Sequence, residues 1–480
     1  MMPLPLSRIA QWVGGRLHGT SGVPGDTLID AIATDTRTLD ASDGRAALFV
    51  ALKGERFDGH DHVVEAAEAG ARALLVSRQL ASPLPQVVVA DTERALAAFA
   101  AALQHTRDTR VAAITGSNGK TSVKTMLLPI LQRAAGDPRA AYANPGNLNN
   151  EIGLPLAVLD APEQARFAVY EMGAGKPGDI AYLTSVVRPD AALVNNIAPA
   201  HLERMGSLLG VADTKAAIYD ALAPGGVAVI NADDAFAPYF AERAHGRRLI
   251  RFGLEASADV TARALALDGE GARFTLVAPD GEAECTLPLP GRHNVRNALA
   301  AASLAIGLGA SLEDVRLGLA AAQPVPGRLV RHRLAGGALL VDDSYNANPG
   351  SLAAAIDWLA SLPEAWLVLG DMRELGEDAR ALHAEAGRRA KAAGIARLYT
   401  LGELSAAAAE TFGEGARHFE SHKQLAEALV GATLASRNGA AGDTDRDASV
   451  APTVLVKGSR GSAMDRIVTA LLEGEGNDAA

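Results

Sequence analysis

The sequence has almost no cysteine and no long apolar run. Cys285 is the one cysteine in 480 residues, which excludes an internal disulfide and a cysteine-rich metal site and leaves packing as its expected role. No apolar run approaches the roughly 18 residues that a membrane-spanning helix needs. The N-terminal segment also lacks the basic start and apolar stretch of an export signal. The sequence therefore predicts a soluble, cytoplasmic protein without a membrane partner.

Basic residues are also fewer than acidic ones. The chain carries 45 Lys and Arg against 56 Asp and Glu, a formal net charge of -11. A general nucleic-acid binder or a protein of anionic membrane surfaces needs the opposite balance. Both classes are thus excluded, whereas a small acidic ligand requires only a local basic group. The length exceeds what one hydrophobic core accommodates and predicts about three domains.

The most informative segment that is present is Ile-Thr-Gly-Ser-Asn-Gly-Lys-Thr at residues 114–121. An apolar strand pattern precedes this segment and a helical pattern over 121–132 follows it, which is typical of a phosphate-binding loop. The loop is a variant form, because Ile114 stands where the usual signature has a glycine. Its amides would meet phosphate oxygens at a helix N-terminus, Lys120 would reach the β and γ phosphates, and Thr121 suits Mg²⁺. Pro129 is expected to kink or end the helix. The predicted ATP-binding residues here are Gly116, Ser117, Asn118, Gly119, Lys120, Thr121 and Ser122.

Strand and helix patterns alternate along the chain and predict an α/β fold of three domains. Residues 1–107 are typical of a small α/β domain with a helix near 91–104, and 108–325 predict a central, mostly parallel sheet carrying the phosphate loop. A Pro-Val-Pro-Gly linker then leads to 326–480, predicted to be a Rossmann-like doubly wound sheet. Residues 438–450 are expected to form a mobile surface loop. The strand candidates are residues 47–51, 86–90, 111–115, 168–171, 191–197, 227–231, 338–342, 366–369, 398–401 and 453–456.

Polar residues follow the strand candidates of the central domain. Glu171 ends one strand and His201 follows another, so parallel pairing would bring both to the edge that holds Thr121. Taken singly, the glutamate reads as a capping or surface acid and the histidine as a structural one. Lys215 lies on a predicted helix over 208–222, where most lysines are solvated. A functional lysine there would need a pKa lowered by burial or by cations.

Three further positions have a functional interpretation, and two of them, Asn294 and Asp343, also have an ordinary one. Asn294 opens an alanine-rich helix and its segment could meet a purine, or it could simply begin the helix. Arg328 follows the linker, where a closing motion would bring it onto a phosphate. Asp343 ends the first strand of the last domain and could hold a ribose hydroxyl, or belong to a polar turn. A metal site at His60 and His62 is conceivable, although a solvated loop is the expectation.

Together these motifs resemble the Mur ligases, the cytoplasmic enzymes that build the peptide of the bacterial cell-wall precursor. The resemblance covers nearly the whole chain, because the blocks occur in one order from the first domain to the last. The blocks are Asp-Thr-Arg at 35–37, Phe-Asp-Gly-His at 57–60, the phosphate loop, 146–150 with 152–155, 171–174, 196–203, 291–297, 326–328, 343–349, Gly-Asp-Met-Arg-Glu-Leu-Gly at 370–376 and Lys-Gly-Ser-Arg-Gly at 457–461.

The resemblance implies roles for individual residues. Magnesium would be held by Thr121, Glu171, His201 and a carbamylated Lys215, and Asn294, Arg328 and Asp343 would contact ATP. Lys120, His201, Lys215 and Arg328 are the implied catalytic residues. The substrates would be bound by Thr36 and Arg37 for the uridine diphosphate sugar, by Asn147, Asn149 and Asn150 for the muramoyl peptide, and by Lys457, Ser459 and Arg460 for the incoming dipeptide.

The implied activity is ATP-dependent amide bond formation through an acyl phosphate. Residues 370–376 fit the branch that adds D-alanyl-D-alanine to UDP-N-acetylmuramoyl-tripeptide, acting as a monomer on these two substrates. Alternatives are a sister ligase that adds a diamino acid, whose Asp-Asn-Pro-Arg block is absent from the sequence, and a folylpolyglutamate-type ligase. A nucleotide switch is a further alternative, but the Asn-Lys-x-Asp signature of GTPases is also absent.

Overall fold

The computed structural model describes residues 1–19, 26–199, 201–334, 337–438 and 451–474, and its chain forms three α/β domains. The predicted fold class is therefore confirmed. The loop predicted at 438–450 lies outside the described residues, except that a helix ends at Asn438. Within the described ranges, no helix has both the length and the apolar character needed to cross a membrane.

The N-terminal domain is a small sheet with helices beside it. Its elements are β1 (Leu4–Pro5), α1 (Leu6–Trp12), β2 (Arg16–His18), β3 (Leu28–Ile29), β4 (Ala31–Ala33), β5 (Ala47–Val50), α2 (Val63–Glu68), β6 (Ala71–Val76), β7 (Gln86–Val88) and α3 (Thr92–Gln104). The main sheet has the order β2-β7-β6-β5-β4, with β2 antiparallel to its neighbour. The predicted helix near 91–104 is confirmed. Asp91 begins it by accepting the N–H groups of Glu93 and Arg94, as an N-cap does.

The middle domain is organised around a six-stranded parallel sheet. Its elements are β8 (Arg110–Thr115), α4 (Lys120–Ala135), β9 (Ala141–Ala143), α5 (Gly153–Asp160), β10 (Phe167–Glu171), α6 (Asp179–Val187), β11 (Ala191–Val194), α7 (Leu202–Met205), α8 (Leu208–Asp220), β12 (Val227–Asn231), α9 (Ala237–Arg243), β13 (Arg248–Phe252), β14 (Thr261–Leu267), β15 (Ala272–Ala278), β16 (Gly281–Leu287), α10 (Arg292–Gly307) and α11 (Leu312–Ala320). The order is β13-β12-β11-β8-β10-β9. β8 pairs with β10 and β11, so Thr115, Glu171 and Val194 end at one edge, as predicted.

Two features of the middle domain differ from the sequence prediction. β14, β15 and β16 form an antiparallel sheet that the prediction missed, although Asp280-Gly281 between alternating strands is a hairpin signal. Pro129 does not end α4, because the helix runs on to Ala135. Ile130 is fully buried beyond the proline, and a Cβ on Gly318 of α11 would lie 2.5 Å from its Cγ1. This close packing outweighs the lost hydrogen bond.

The C-terminal domain is a second, largely parallel sheet. Its elements are β17 (Val330–Arg333), β18 (Leu339–Asp343), α12 (Pro349–Leu359), β19 (Ala365–Gly370), α13 (Ala379–Ala392), β20 (Arg397–Leu401), α14 (Ala406–Phe412), β21 (Ala416–Phe419), α15 (His422–Asn438), β22 (Thr453–Lys457) and α16 (Asp465–Gly474). The order is β17-β18-β22-β19-β20-β21, with β17 antiparallel. β19 and β22 are buried along their whole length, as expected of strands covered on both faces. Asp343 and Lys457 pair in register at the ends of their strands.

Candidate active site

The ends of the two parallel sheets face a shared cavity of about 1120 Å³. Most residues singled out from the sequence line this cavity, although they come from segments far apart in the chain. The predicted residues that line it are Gly116, Ser117, Asn118, Gly119, Lys120, Ser122, Asn149, Asn150, Glu171, His201, Lys215, Asn294, Arg328, Asp343 and Lys457. Those outside the lining are Thr36, Arg37, Thr121, Asn147, Ser459 and Arg460.

The phosphate loop connects β8 to α4 with two glycines in the left-handed region. Gly119 has φ +78°, and a Cβ there would lie 2.5 Å from both Asn195 Nδ2 and Asn297 Oδ1, so glycine is required for space as well as conformation. Lys120 begins α4, and its Nζ donates to the carbonyl of Gly116 at 2.8 Å. Burial lowers the pKa of Lys120, as does Arg328, while Glu171 opposes that shift. The loop amides and this cation face the cavity together.

Asparagine side chains that sequence reasoning missed hold the loop from behind. Asn196 Oδ1 accepts the N–H of Asn118 at 2.8 Å, and Asn195 Nδ2 donates to the carbonyl of Asn118 at 2.9 Å. Asn195 also donates to Asn297 on α10 at 3.1 Å. The sequence prediction placed Asn195 and Asn196 inside a strand over 191–197, whereas β11 ends at Val194 and leaves them at the sheet edge beside the loop. These bonds position the loop against the helix that carries Asn294.

Glu171 is a buried part of the loop's surroundings and not a surface acid. Its Oε2 accepts the Thr121 hydroxyl at 2.9 Å, and its Oε1 accepts Asn149 Nδ2 at 2.9 Å. Burial alone would raise the pKa of Glu171, but Lys120 and Lys124, with these hydrogen bonds, hold it below its ordinary value. The carboxylate is therefore charged. Sequence reasoning missed Lys124, whose Nζ lies 3.3 Å from Oε2.

The Thr121–Glu171 pair suits a magnesium ion. Mg²⁺ prefers oxygen ligands and usually takes only one or two carboxylates, completing its shell with phosphates and waters. The described part of the chain has no group of three or more His, Cys, Asp and Glu side chains placed to hold a metal by themselves. A hydroxyl and a charged carboxylate beside a phosphate loop are the ligands that a protein is expected to contribute to such a magnesium site.

His201 connects the middle and C-terminal domains. It has φ +55°, which is uncommon for a side chain with a Cβ, and its Nδ1 lies 2.5 Å from Oε2 of Glu374. Glu374 belongs to the predicted 370–376 block. Burial lowers the pKa of His201, Glu374 opposes this, and Lys215 and Lys120 add to the lowering. In this structure the His201 imidazole is paired with the Glu374 carboxylate. Binding of a metal by His201 stays a prediction.

Lys215 is buried, so the solvated-lysine interpretation is wrong. It is 2% exposed on α8 and lines the cavity. Among the described residues it has neither a hydrogen-bond nor an ion-pair partner. Burial, together with Lys120 and against Asp179, lowers the pKa of Lys215 to about 7. At neutral pH a substantial fraction of this amine is therefore unprotonated and free to react.

Arg328 reaches the phosphate loop from the third domain. Its Nη2 donates to the Thr121 hydroxyl at 2.9 Å, and its guanidinium stacks over Tyr345 at 4.5 Å. Its Nε is buried without a hydrogen-bond partner in the described part of the chain. A second interdomain bond joins Asn348 Nδ2 to Asn118 Oδ1 at 2.7 Å. The middle and third domains are thus closed over the loop.

Residues predicted to serve two different ligands are joined at the ends of β18 and β22. Lys457 Nζ lies 2.5 Å from Asp343 Oδ2 and donates to the carbonyl of Asn346 at 3.0 Å. Burial raises the pKa of Asp343, and Lys457 opposes that shift. Ser459 is also buried, and its hydroxyl donates to the carbonyl of Ala347 at 3.1 Å. The Arg460 guanidinium lies 5.5 Å from the ring of Tyr345.

The N-terminal candidates lie on a different surface. Asp35 begins a short turn by accepting the N–H of Arg37, and hydrogen bonds from Arg37 lower the pKa of Asp35 to about 2. The Arg37 side chain is 87% exposed. The expectation of a solvated loop at His60 is wrong, because that imidazole is buried, lies 2.5 Å from Asp58, and accepts the N–H of Ser77 at 2.8 Å. It is a structural histidine.

We expect the closed arrangement to depend on ligands, because polar contacts such as Arg328–Thr121 contribute only about 1 kcal/mol each. Solution scattering should show a smaller radius of gyration with nucleotide and substrates than without. Arg328→Ala should reduce this compaction and lower turnover by at least about 10-fold, since the arginine acts on a charged phosphate. Arg380→Ala, at a 66% exposed side chain, is the control. An unchanged radius with full activity in Arg328→Ala would contradict the role.

A phosphate loop on a parallel sheet, with a third domain closed over it and a small α/β domain preceding it in the chain, defines a three-domain nucleotide-binding protein of the P-loop class. Three family models match the chain: "Mur ligase family, catalytic domain" over residues 29–107, "Mur ligase middle domain" over 114–305, and "Mur ligase, glutamate ligase domain" over 327–460. The chain belongs to the Mur ligase family.

Individual relatives agree with this assignment over the full length. The Escherichia coli K12 protein named UDP-N-acetylmuramoyl-tripeptide--D-alanyl-D-alanine ligase is 43% identical over 475 residues, covering 98% of this chain and 99% of its own. A crystal structure of MurF from Acinetobacter baumannii has a TM-score of 0.89 at 33% identity, covering 98% and 99% of the two chains. MurF from Thermotoga maritima in complex with ADP has a TM-score of 0.80 at 27% identity, covering 94% and 98%.

Proposed function

We propose that the protein is a cytoplasmic, ATP-dependent ligase that joins D-alanyl-D-alanine to UDP-N-acetylmuramoyl-tripeptide in peptidoglycan precursor synthesis. The observation that carries the proposal is the cavity in which a phosphate loop, a charged Glu171 and an unpaired Lys215 meet Arg328 of the third domain. Full-length relatives that bear this activity in their names support it.

The proposed division of labour follows the three domains. Residues 1–107 bind the uridine diphosphate sugar with Thr36 and Arg37, 108–325 bind ATP, and 326–480 bind the dipeptide. Asn149 and Asn150 line the cavity beside Glu171, which supports a place near the muramoyl peptide for the segment that also contains Asn147. The buried Lys457 and Ser459 hold backbone carbonyls of the 343–349 turn, so their proposed effect on the dipeptide is to shape its site. Arg460 is their exposed, charged neighbour.

Activation of a carboxylate is the chemical problem that this cavity solves. A carboxylate is a poor acyl donor because oxide is a poor leaving group, so transfer of the γ-phosphoryl group to it makes an acyl phosphate. Lys120 within the loop and Arg328 from the third domain offset the charge on the moving phosphoryl group. A magnesium ion at Thr121 and Glu171 would add positive charge to the same phosphates. The neutral amine of the dipeptide then attacks the acyl carbon, and the new N–C bond forms as the C–O bond to phosphate breaks. Phosphate and one proton from the nitrogen are released with the amide.

Lys215 is proposed to act as its carbamate. Its unprotonated, neutral amine forms an N–C bond to carbon dioxide and releases one proton from the nitrogen, which converts the neutral group into a buried anion. Burial and the absence of a partner among the described residues support this proposal, since a lysine left uncompensated in a cavity is otherwise costly. The new carboxylate would face Lys120, which supplies an opposite charge within the same cavity.

Measuring ADP and amide product together tests the function. With UDP-N-acetylmuramoyl-tripeptide, D-alanyl-D-alanine and ATP, we expect equal amounts of ADP and product, and ADP release should depend on the tripeptide because its carboxylate accepts the phosphoryl group. A panel with lysine, diaminopimelate or glutamate as the amine separates the alternative ligases. ADP formed equally fast without an acceptor would refute the acyl phosphate, and ATP binding without any amide product would favour a nucleotide switch.

A further inference from the structure

Lys124 is a buried cation that has no role in the chemistry proposed above. It lies on α4 about one turn beyond Thr121, and its side chain is 6% exposed. Its Nζ donates to the carbonyl of Asn144 at 2.8 Å and to that of Gly146 at 3.2 Å, and lies 3.3 Å from Glu171 Oε2. A buried ammonium group is costly unless paired and hydrogen-bonded, and the three donors of Lys124 each have a partner.

Both carbonyls belong to residues 144–150, which we call the acceptor loop because three of its asparagines are proposed to face the muramoyl peptide. The end of β10 holds this loop. Asn144 Oδ1 accepts the N–H of Glu171 at 2.9 Å, Asn149 Nδ2 donates to the Glu171 carboxylate, and Asn149 accepts the N–H of Gly173 at 2.8 Å. Lys124 ties the same loop to the helix that begins at the phosphate loop.

We propose that Lys124 is a positioning residue that fixes the acceptor loop, and with it the acceptor carboxylate, relative to the phosphate loop. The inference rests on the proposed function and deepens it. A single ammonium group holds two loop carbonyls and Glu171 at once, so the helix start, the carboxylate and the loop move as one unit. Phosphoryl transfer depends on such alignment, and a misplacement of about 1 Å can lower the rate by about 100-fold.

A merely structural role for Lys124 makes a different prediction. If the lysine only compensates the charge of Glu171 and supports α4, its loss should lower thermal stability and weaken nucleotide and acceptor binding together. A positioning role predicts a selective effect. Acceptor binding and turnover should fall, while nucleotide binding at the phosphate loop, whose glycines and amides Lys124 does not contact, should persist.

The test compares Lys124→Met, which keeps the chain length without the charge, with Lys124→Arg, which keeps the charge. Lys423→Met is the matched control, since that side chain is 85% exposed on α15. Calorimetry with chelator present measures ADP and UDP-N-acetylmuramoyl-tripeptide affinities without metal, and steady-state kinetics separates kcat from KM. Hydrogen exchange of residues 144–150 reports the loop directly, without any ligand.

For Lys124→Met we expect acceptor affinity to fall at least about 10-fold and kcat about 100-fold, with ADP affinity within about threefold of wild type. Amide exchange in the acceptor loop should rise, and Lys124→Arg should restore part of each loss. Wild-type acceptor affinity with unchanged loop exchange, or equal losses of ADP and acceptor binding, would overturn the proposal. If the single variant does not fold, Lys124→Met with Glu171→Gln removes both charges, and loop exchange equal to that of Glu171→Gln alone would overturn it. Failure of the wild-type protein to form the amide would instead refute the proposed function, and loop exchange would still decide the role of Lys124.

Discussion

Lys120→Ala should lower the rate of amide formation by at least about 100-fold, the loss expected when one preorganised charge stabiliser is removed from a transition state. The lysine is held at the start of α4 by its bond to the carbonyl of Gly116, so its charge is in place before the phosphates arrive. Arg328 and the loop amides remain in the variant and would still bind nucleotide. The expected loss therefore falls mainly on kcat.

Steady-state measurement of ADP and amide product decides this prediction, with thermal unfolding as a check that the variant folds. Lys423→Ala, on an exposed part of α15, controls for the change in net charge. A folded Lys120→Ala protein with near wild-type turnover would contradict the proposed role of the loop.

Lys215→Ala should cause the second large loss, at least about 100-fold in turnover, because it removes the group proposed to become a carbamate. Lys215→Glu places a carboxylate in the same region and should recover part of the activity, and a small carboxylic acid added to the alanine variant should do likewise. After incubation of wild-type protein with ¹³C-bicarbonate, an NMR signal from the carbamate carbon is expected. Active protein without that signal, together with full turnover of Lys215→Ala, would refute the modification.

The carbamate also predicts the direction of the pH dependence. The pKa of Lys215 is lowered by burial to about 7, so the amine is mostly neutral above that pH and mostly protonated below it. Only the neutral amine forms a bond to carbon dioxide. Turnover and the ¹³C signal should therefore fall together as pH drops below about 7, and Lys215→Glu should keep its residual turnover through the same range.

The sequence predicted the elements better than the contacts between them. Apolar strand patterns and the phosphate loop depend on neighbouring residues, so β8, β10 and the loop were identified with nearly correct bounds. The burial of Lys215 was hidden because α8 exposes Leu209 at 57% and buries the lysine at 2%, the reverse of the usual amphipathic pattern. Lys215 faces the cavity, and the cavity forms only where the domains meet.

Contacts between segments far apart in the chain could not be predicted from the sequence either. The pairs His201–Glu374 and Asn118–Asn348 join the middle and third domains, and local patterns carry no information on how domains meet. Lys124 is one position in a regular helix, and its carbonyl partners are about 20 residues further along the chain. The motifs thus identified most residues that line the cavity. Which of these residues contact each other could be seen only in the structure.

The solitary thiol has a practical consequence. Cys285 is 3% exposed, lies opposite Phe274 in the antiparallel sheet, and has its pKa raised by burial to about 11. The thiolate is the form that attacks alkylating reagents, so the folded protein should be almost inert to them at neutral pH. Cysteines engineered into the exposed faces of two domains would accept fluorescent dyes without background, and closure over the cavity could be followed as a distance in single molecules.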